Sequence, residues 1–157
     1  MLRDFMYNRI LLTTDGSKNS EFAIEHALQI ASDEGAEVIV LHVVDGKHQN
    51  VSEEDIGGEL PFGKYSQKVL DQFEKVIQDF KNKNEEQNKV NITKLSIEGK
   101  PSKVILEVCQ RENIDMIVMS NSGKNKVDRF LLGSVTEKII RESPVPVLVI
   151  PANYSPN

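Results

Sequence analysis

Residues 9–44 read RILLTTDGSKNSEFAIEHALQIASDEGAEVIVLHVV. Two apolar runs, Arg9–Thr13 and Glu37–Val44, enclose a stretch, Ser20–Ala31, in which Ala23, Ala27 and Ala31 recur every fourth residue with Ile24 and Leu28 beside them. The runs are nearly continuous in aliphatic and β-branched residues, the mark of strands covered on both faces. The stretch between them has the helical period and an apolar stripe. Strand, helix and strand in that order predict a βαβ unit, with parallel strands and a right-handed crossover.

The same alternation continues along the chain. Further apolar runs fall at Val90–Ile97, Asp115–Ser120 and Val145–Ile150. Helical stripes fall at Tyr65–Phe80, Lys103–Arg111 and Ser134–Arg141. Pro101-Ser102 suits the start of the third helix, and Pro144 ends the fourth. The run at Val90–Ile97 alternates more than the others and reads as a less buried edge strand. The resulting order, βαβαβαβαβ, predicts an α/β fold: an open, doubly wound parallel sheet of five strands with helices on both faces. No domain boundary and no internal repeat interrupts it, so residues 1–157 read as a single domain. Asp45–Phe62 reads as a mobile polar loop, and Lys81–Lys89 as a solvated run of charge.

Bulk properties narrow the function classes. A chain of 157 residues is one ordinary domain and hides roughly 70% of its unfolded surface, enough for a core without staples. Its net charge of −5 argues against nucleic acid or an anionic membrane as partner, because phosphate backbones need a positive face. The one cysteine, Cys109, excludes an intrachain disulfide and suits a reducing, cytoplasmic setting. Met1–Asn8 carries an early acid and no apolar run of signal-peptide length. The apolar runs are strand-sized, too short to span a bilayer.

In an open parallel sheet, ligands bind beyond the carboxyl ends of the strands, where the strand order reverses. The informative residues are therefore Thr14-Asp15-Gly16-Ser17 after the first strand and Asn121-Ser122-Gly123-Lys124 after the fourth. Gly123 is followed, after nine intervening residues, by Gly133-Ser134 at the head of the last helix. Glycines allow a backbone to approach a ligand closely. A helix N-terminus offers unbonded N–H groups and the positive end of the dipole, which suits phosphate. The Ser134 hydroxyl has two uses there, capping the helix or donating to a phosphate. Lys124, Lys126 and Arg129 add positive charge between the glycines. A flexible loop followed by an ordinary helix cap would look the same from these residues alone.

The span Ser120–Pro151, SNSGKNKVDRFLLGSVTEKIIRESPVPVLVIP, closely resembles the C-terminal signature of the universal stress protein family. The opening RILLTTDGSKNSEFAIEHAL, the second strand EVIVLHVVD and the Gly99-Lys-Pro101 turn resemble it as well, in the right order. The resemblance covers the chain outside Asp45–Phe62. It implies an adenine nucleotide α-hydrolase-like sheet of order 3-2-1-4-5, with strands one and four side by side at the switch point. It also implies ATP binding (with AMP or ADP as alternatives), with Mg²⁺ on the phosphates. Nucleotide-binding members carry Gly-x-x-Gly, nine residues, then Gly-Ser/Thr; here Gly123, Gly133 and Ser134 match, and Ser120 replaces the first glycine. By the same resemblance, Asp15 accepts from the ribose hydroxyls, the Val43 backbone bonds the adenine edge, and Thr13, Thr14 and Met119 line the base and sugar. Gly123, Gly133, Ser134, Val135 and Thr136 hold the phosphates. If the Ser120 position needs φ > 0, serine costs on the order of 1 kcal/mol or more; if it needs only a small side chain, serine fits. The resemblance finally implies a homodimer through residues 145–150, which also answers the aggregation hazard of an apolar edge strand.

Other signals weigh less. Gly58-Glu-Leu-Pro-Phe-Gly63-Lys64-Tyr65 has P-loop spacing, but Tyr65 replaces the Ser/Thr that would hold magnesium and Pro61 sits inside it. His26, His42 and His48 are scattered and, with a single cysteine, give no metal-ligand spacing. Cys109 falls on an apolar helix face and reads as a small buried hydrophobe. No Gly-x-Ser-x-Gly elbow is present, and no acidic cluster supports Asp15 as a nucleophile. The expected function is a nucleotide-responsive regulator with at most slow ATP hydrolysis. Two other readings stand against it: a dimeric interaction module without nucleotide, and a hydrolase of the related nucleotide α-hydrolase type.

Overall fold

The computed structural model describes residues 6–14, 19–44, 62–85, 89–121 and 132–156. Nine elements follow one another as β1 (Arg9–Thr14), α1 (Asn19–Glu34), β2 (Glu37–Val44), α2 (Phe62–Lys83), β3 (Ile92–Glu98), α3 (Pro101–Arg111), β4 (Met116–Ser120), α4 (Ser134–Glu142) and β5 (Val147–Ile150). The strands form one sheet of order β3-β2-β1-β4-β5, and every neighbouring pair is parallel. The expected α/β fold and strand order are both present.

Side-chain alternation along the strands divides the core between two faces. Ile10, Leu12, Val38, Val40 and Val118 pack on one face with Ala23, Ile24, Ala27, Leu28 and Ala31 of α1 and with Val69, Phe73 and Ile77 of α2. Leu11, Ile39, Leu41, Ile117 and Met119 pack on the other with Val104, Ile105, Val108 and Cys109 of α3 and Ile139 of α4. The alanines of α1 let that helix lie close against the central strands. Each fully buried Leu or Ile of this core contributes roughly 1.5–3 kcal/mol relative to an exposed one.

Helix ends set where the strands begin. After α1, Gly35 adopts φ 69° and the Ala36 N–H donates to the Ala31 carbonyl at 2.9 Å. After α3, Asn113 adopts φ 51°, and Asn113 and Ile114 donate to Gln110 and Cys109 at 3.3 and 3.0 Å. Both are left-handed closures that satisfy the last helical carbonyls and turn the chain back into the sheet.

The amino edge of the sheet is held by charge. Asp115 accepts the N–H groups of Asn8 and Arg9 at 2.7 and 2.9 Å, and the Arg9 guanidinium pairs with Glu37. Asp115 therefore precedes β4 and anchors β1 instead of opening the strand. Val90 and Val145 likewise lie just outside β3 and β5. Pro146 has no N–H to give to a ladder, although its carbonyl accepts from Ile117 at 3.0 Å. β3 is the edge strand expected, with alternating exposure. Phe62 opens α2 instead of closing the preceding loop, and residues 45–61 lie outside the described residues.

Candidate functional site

The strand order reverses between β1 and β4, so the crevice that an open parallel sheet offers a ligand lies beyond Thr14 and Ser120. Of the site residues expected from the sequence, Thr13, Thr14, Val43, Met119 and Ser120 lie at the carboxyl ends of the three central strands. Gly133, Ser134, Val135 and Thr136 lie at the head of α4. Asp15 and Gly123 fall outside the described residues.

The strand residues divide between the two faces. Val43 and Met119 pack with the α3/α4 core; Met119 is only 4% exposed, so little of its side chain is left to meet a ligand. Val43 stands opposite Ile97 of β3. Thr14 is buried, and its hydroxyl donates to Ser20 Oγ of α1 at 3.4 Å. Ser120 is buried at the end of β4, opposite Ile150 of β5. Among the described non-glycine residues only Asn113 has a positive φ. Ser120 therefore sits in ordinary extended backbone, and the strain that a left-handed position would impose on serine does not arise.

At α4 the capping role expected of Ser134 passes to Gly133. Gly133 is the cap residue, with φ −59° and ψ 153°, and the cap has no side-chain hydrogen bond. Ser134 is the first helical residue and is exposed. Val135 is half-buried against the α3/α4 core, and Thr136 is buried. The first intrahelical donor is Glu137, bonded to the Gly133 carbonyl at 2.9 Å. The amides of Ser134, Val135 and Thr136 precede it and form the electropositive end of the helix.

Asn121, the first of the informative residues after β4, has no role in the site expected from the sequence. Its N–H donates to the Ile150 carbonyl at 2.8 Å, and its Oδ1 accepts the Gly133 N–H at 2.8 Å. An asparagine directly after a strand is the only local signal for it, and that signal does not reveal a partner twelve residues away.

Among the described residues no group of three or more His, Cys, Asp or Glu side chains is placed to hold a metal ion. A cleft of about 420 Å³, lined by Asn8, Ala31, Gly35, Glu37 and Lys89 among others, lies at the opposite edge of the sheet. It faces the carboxyl end of α1, whose dipole disfavours an anion. His42 is buried within β2. Cys109 is buried as expected, and burial, with the Asp115 charge adding to it, pushes its thiol pKa up.

The fold defines an open, doubly wound α/β protein whose strand order reverses between β1 and β4. The sequence profile of the Universal stress protein family matches residues 6–151, and the chain belongs to that family. It is 33% identical over 156 residues to Universal stress protein MJ0577 of Methanocaldococcus jannaschii, covering 92% of this chain and 95% of that protein. The solved structure of MJ0577 superimposes with a TM-score of 0.69 at 30% identity, covering 96% of this chain and 99% of that one. A universal stress protein in complex with cAMP has a TM-score of 0.62 at 21% identity, over 92% of this chain and 97% of that one. The universal stress protein of Archaeoglobus fulgidus in complex with dAMP has a TM-score of 0.62 at 19% identity, over 92% of this chain and 98% of that one. Among the described residues no helix is long and apolar enough to cross a membrane.

Proposed function

We propose that this protein binds an adenine nucleotide, ATP first among them, at the β1/β4 crevice and acts as a nucleotide-responsive regulator in stress response. The observation that carries this reading is the head of α4, whose cap residue Gly133 is tied to the end of β4 through the Asn121 side chain. An array of N–H groups at the positive end of a helix favours a phosphate. Asp15, following β1, takes the ribose hydroxyls in this reading, and the Val43 backbone takes the adenine edge. Gly123, Gly133, Ser134, Val135 and Thr136 surround the phosphates in the same reading. The cAMP and dAMP complexes are consistent with it as instances of adenine nucleotides held on this fold.

Magnesium, if it accompanies the nucleotide, is held by phosphate oxygens and water, as this ion commonly is. No residue is assigned as a general base, so any hydrolysis is slow.

Isothermal titration with ATP, ADP and AMP tests the proposal. Saturable heat with ATP is expected, with Gly133→Val weakening binding most and Ser134→Ala by about fivefold, the worth of one hydrogen bond near 1 kcal/mol. No heat at high micromolar protein would leave a dimeric interaction module as the function.

A further inference from the structure

One buried polar side chain at the crevice stands at an unspecified position of the motif, between Ser120 and Gly123. Asn121 is 8% exposed, and its bonds reach three elements at once. Its position follows directly on β4, its backbone N–H is held by the last carbonyl of β5, and its side-chain oxygen holds the N–H of the α4 cap residue. A hydrogen bond between partly buried groups keeps its geometry better than one in water, and a donor left unpaired there is costly. Asparagine suits this task chemically. Its carboxamide oxygen accepts as a carboxylate would, but it brings no negative charge beside a phosphate.

We infer that Asn121 is a positioning residue for the phosphates, an inference that rests on the nucleotide reading above. It fixes the head of α4 against the ends of β4 and β5 before any ligand arrives. It also takes up the Gly133 amide, so the phosphate is left to the amides of Ser134, Val135 and Thr136. Gly133 then contributes room for the ligand and not a donor. This revises its role in the phosphate set expected from the sequence. Preorganised donors bind more tightly because their ordering is not charged against the ligand.

The experiment pairs nucleotide and nucleoside titrations with amide hydrogen exchange on the intact protein. Without nucleotide, the Gly133 amide should exchange slowly in the wild type and fast in Asn121→Ala. Asn121→Ala should lose about tenfold in ATP affinity, equivalent to about 1.4 kcal/mol, while adenosine affinity changes by less than about twofold. A merely structural role would not split ATP from adenosine in this way. Asn121→Asp keeps both the acceptor and the size of the side chain and serves if the alanine variant does not fold. It should keep Gly133 protected and adenosine binding intact but weaken ATP, because its carboxylate stands near the phosphates.

Equal losses for ATP and adenosine, unchanged or tighter ATP binding by Asn121→Ala, or wild-type ATP affinity in Asn121→Asp would each overturn the inference and leave nucleotide binding standing. A wild type that binds neither ATP nor adenosine would overturn the nucleotide reading and this inference with it.

Discussion

Ser120 ends β4 in extended backbone, buried opposite Ile150. A glycine there would relieve no strain and would lose a packed side chain at a strand end. Ser120→Gly should therefore lower stability by about 0.5–1 kcal/mol, the usual cost of glycine in a strand, and should not raise nucleotide affinity. Urea unfolding together with ATP titration of the variant checks both; a clear gain in affinity would mean that serine obstructs the crevice. Asn121, the next residue, acts through its side chain, and Gly133 through what it leaves open. Gly133 has an ordinary negative φ, so its backbone conformation does not demand glycine. Cys109, with its thiol pKa raised by burial, keeps its proton at neutral pH and behaves as a core hydrophobe.

The junction of β3 and α3 shows how an element is aimed. Gly99 has φ 152°, and its N–H donates to the Val44 carbonyl at the end of β2, at 3.0 Å. A Cβ at this position would lie 2.7 Å from Val104 Cγ2 of α3. Pro101 then begins the helix, where its missing N–H costs nothing. Close approach and backbone conformation both require glycine here. Gly99→Ala should destabilise by about 1–3 kcal/mol, read as a lower denaturant midpoint with unchanged slope. Destabilisation within 0.5 kcal/mol would mean that α3 shifts freely and that the junction does not fix its approach. α3 and α4 share one face of the sheet, so a displaced α3 would also disturb the helix whose head forms the crevice.

At the scale of the whole molecule, β5 is an edge of the sheet, with Val147, Leu148 and Val149 only half-buried. An apolar strand with one open side invites pairing with another chain. We propose that a second copy supplies that partner, through residues 145–150. Sedimentation at micromolar concentration should then give a species of twice the 17.7 kDa chain. Val147→Lys should shift it to monomer while the circular dichroism stays native. A wild type that sediments as a monomer would rule the pairing out. The central strands are covered on both faces by α1 and α2 and by α3 and α4, which leaves the ends and edges of the sheet as the surfaces open to function.

The sequence alone determined the class of fold. Unbroken aliphatic runs alternating with helical stripes admit few arrangements other than a covered parallel sheet, because strand and helix periods are local properties of the chain. It also pointed to most of the candidate site, since glycines and a helix head at fixed spacing are visible in one dimension, and the family resemblance supplied the strand order. Element ends were less legible: Asp115, Val90 and Val145 belong to apolar runs, yet their places were settled by anchoring and ladder bonds. Only the tertiary structure showed that Ser120 is unstrained, that Gly133 is the cap, and that Asn121 joins β4, β5 and α4. These depend on which backbone groups meet across the sheet, and no residue's identity encodes a hydrogen bond to a partner distant in the chain.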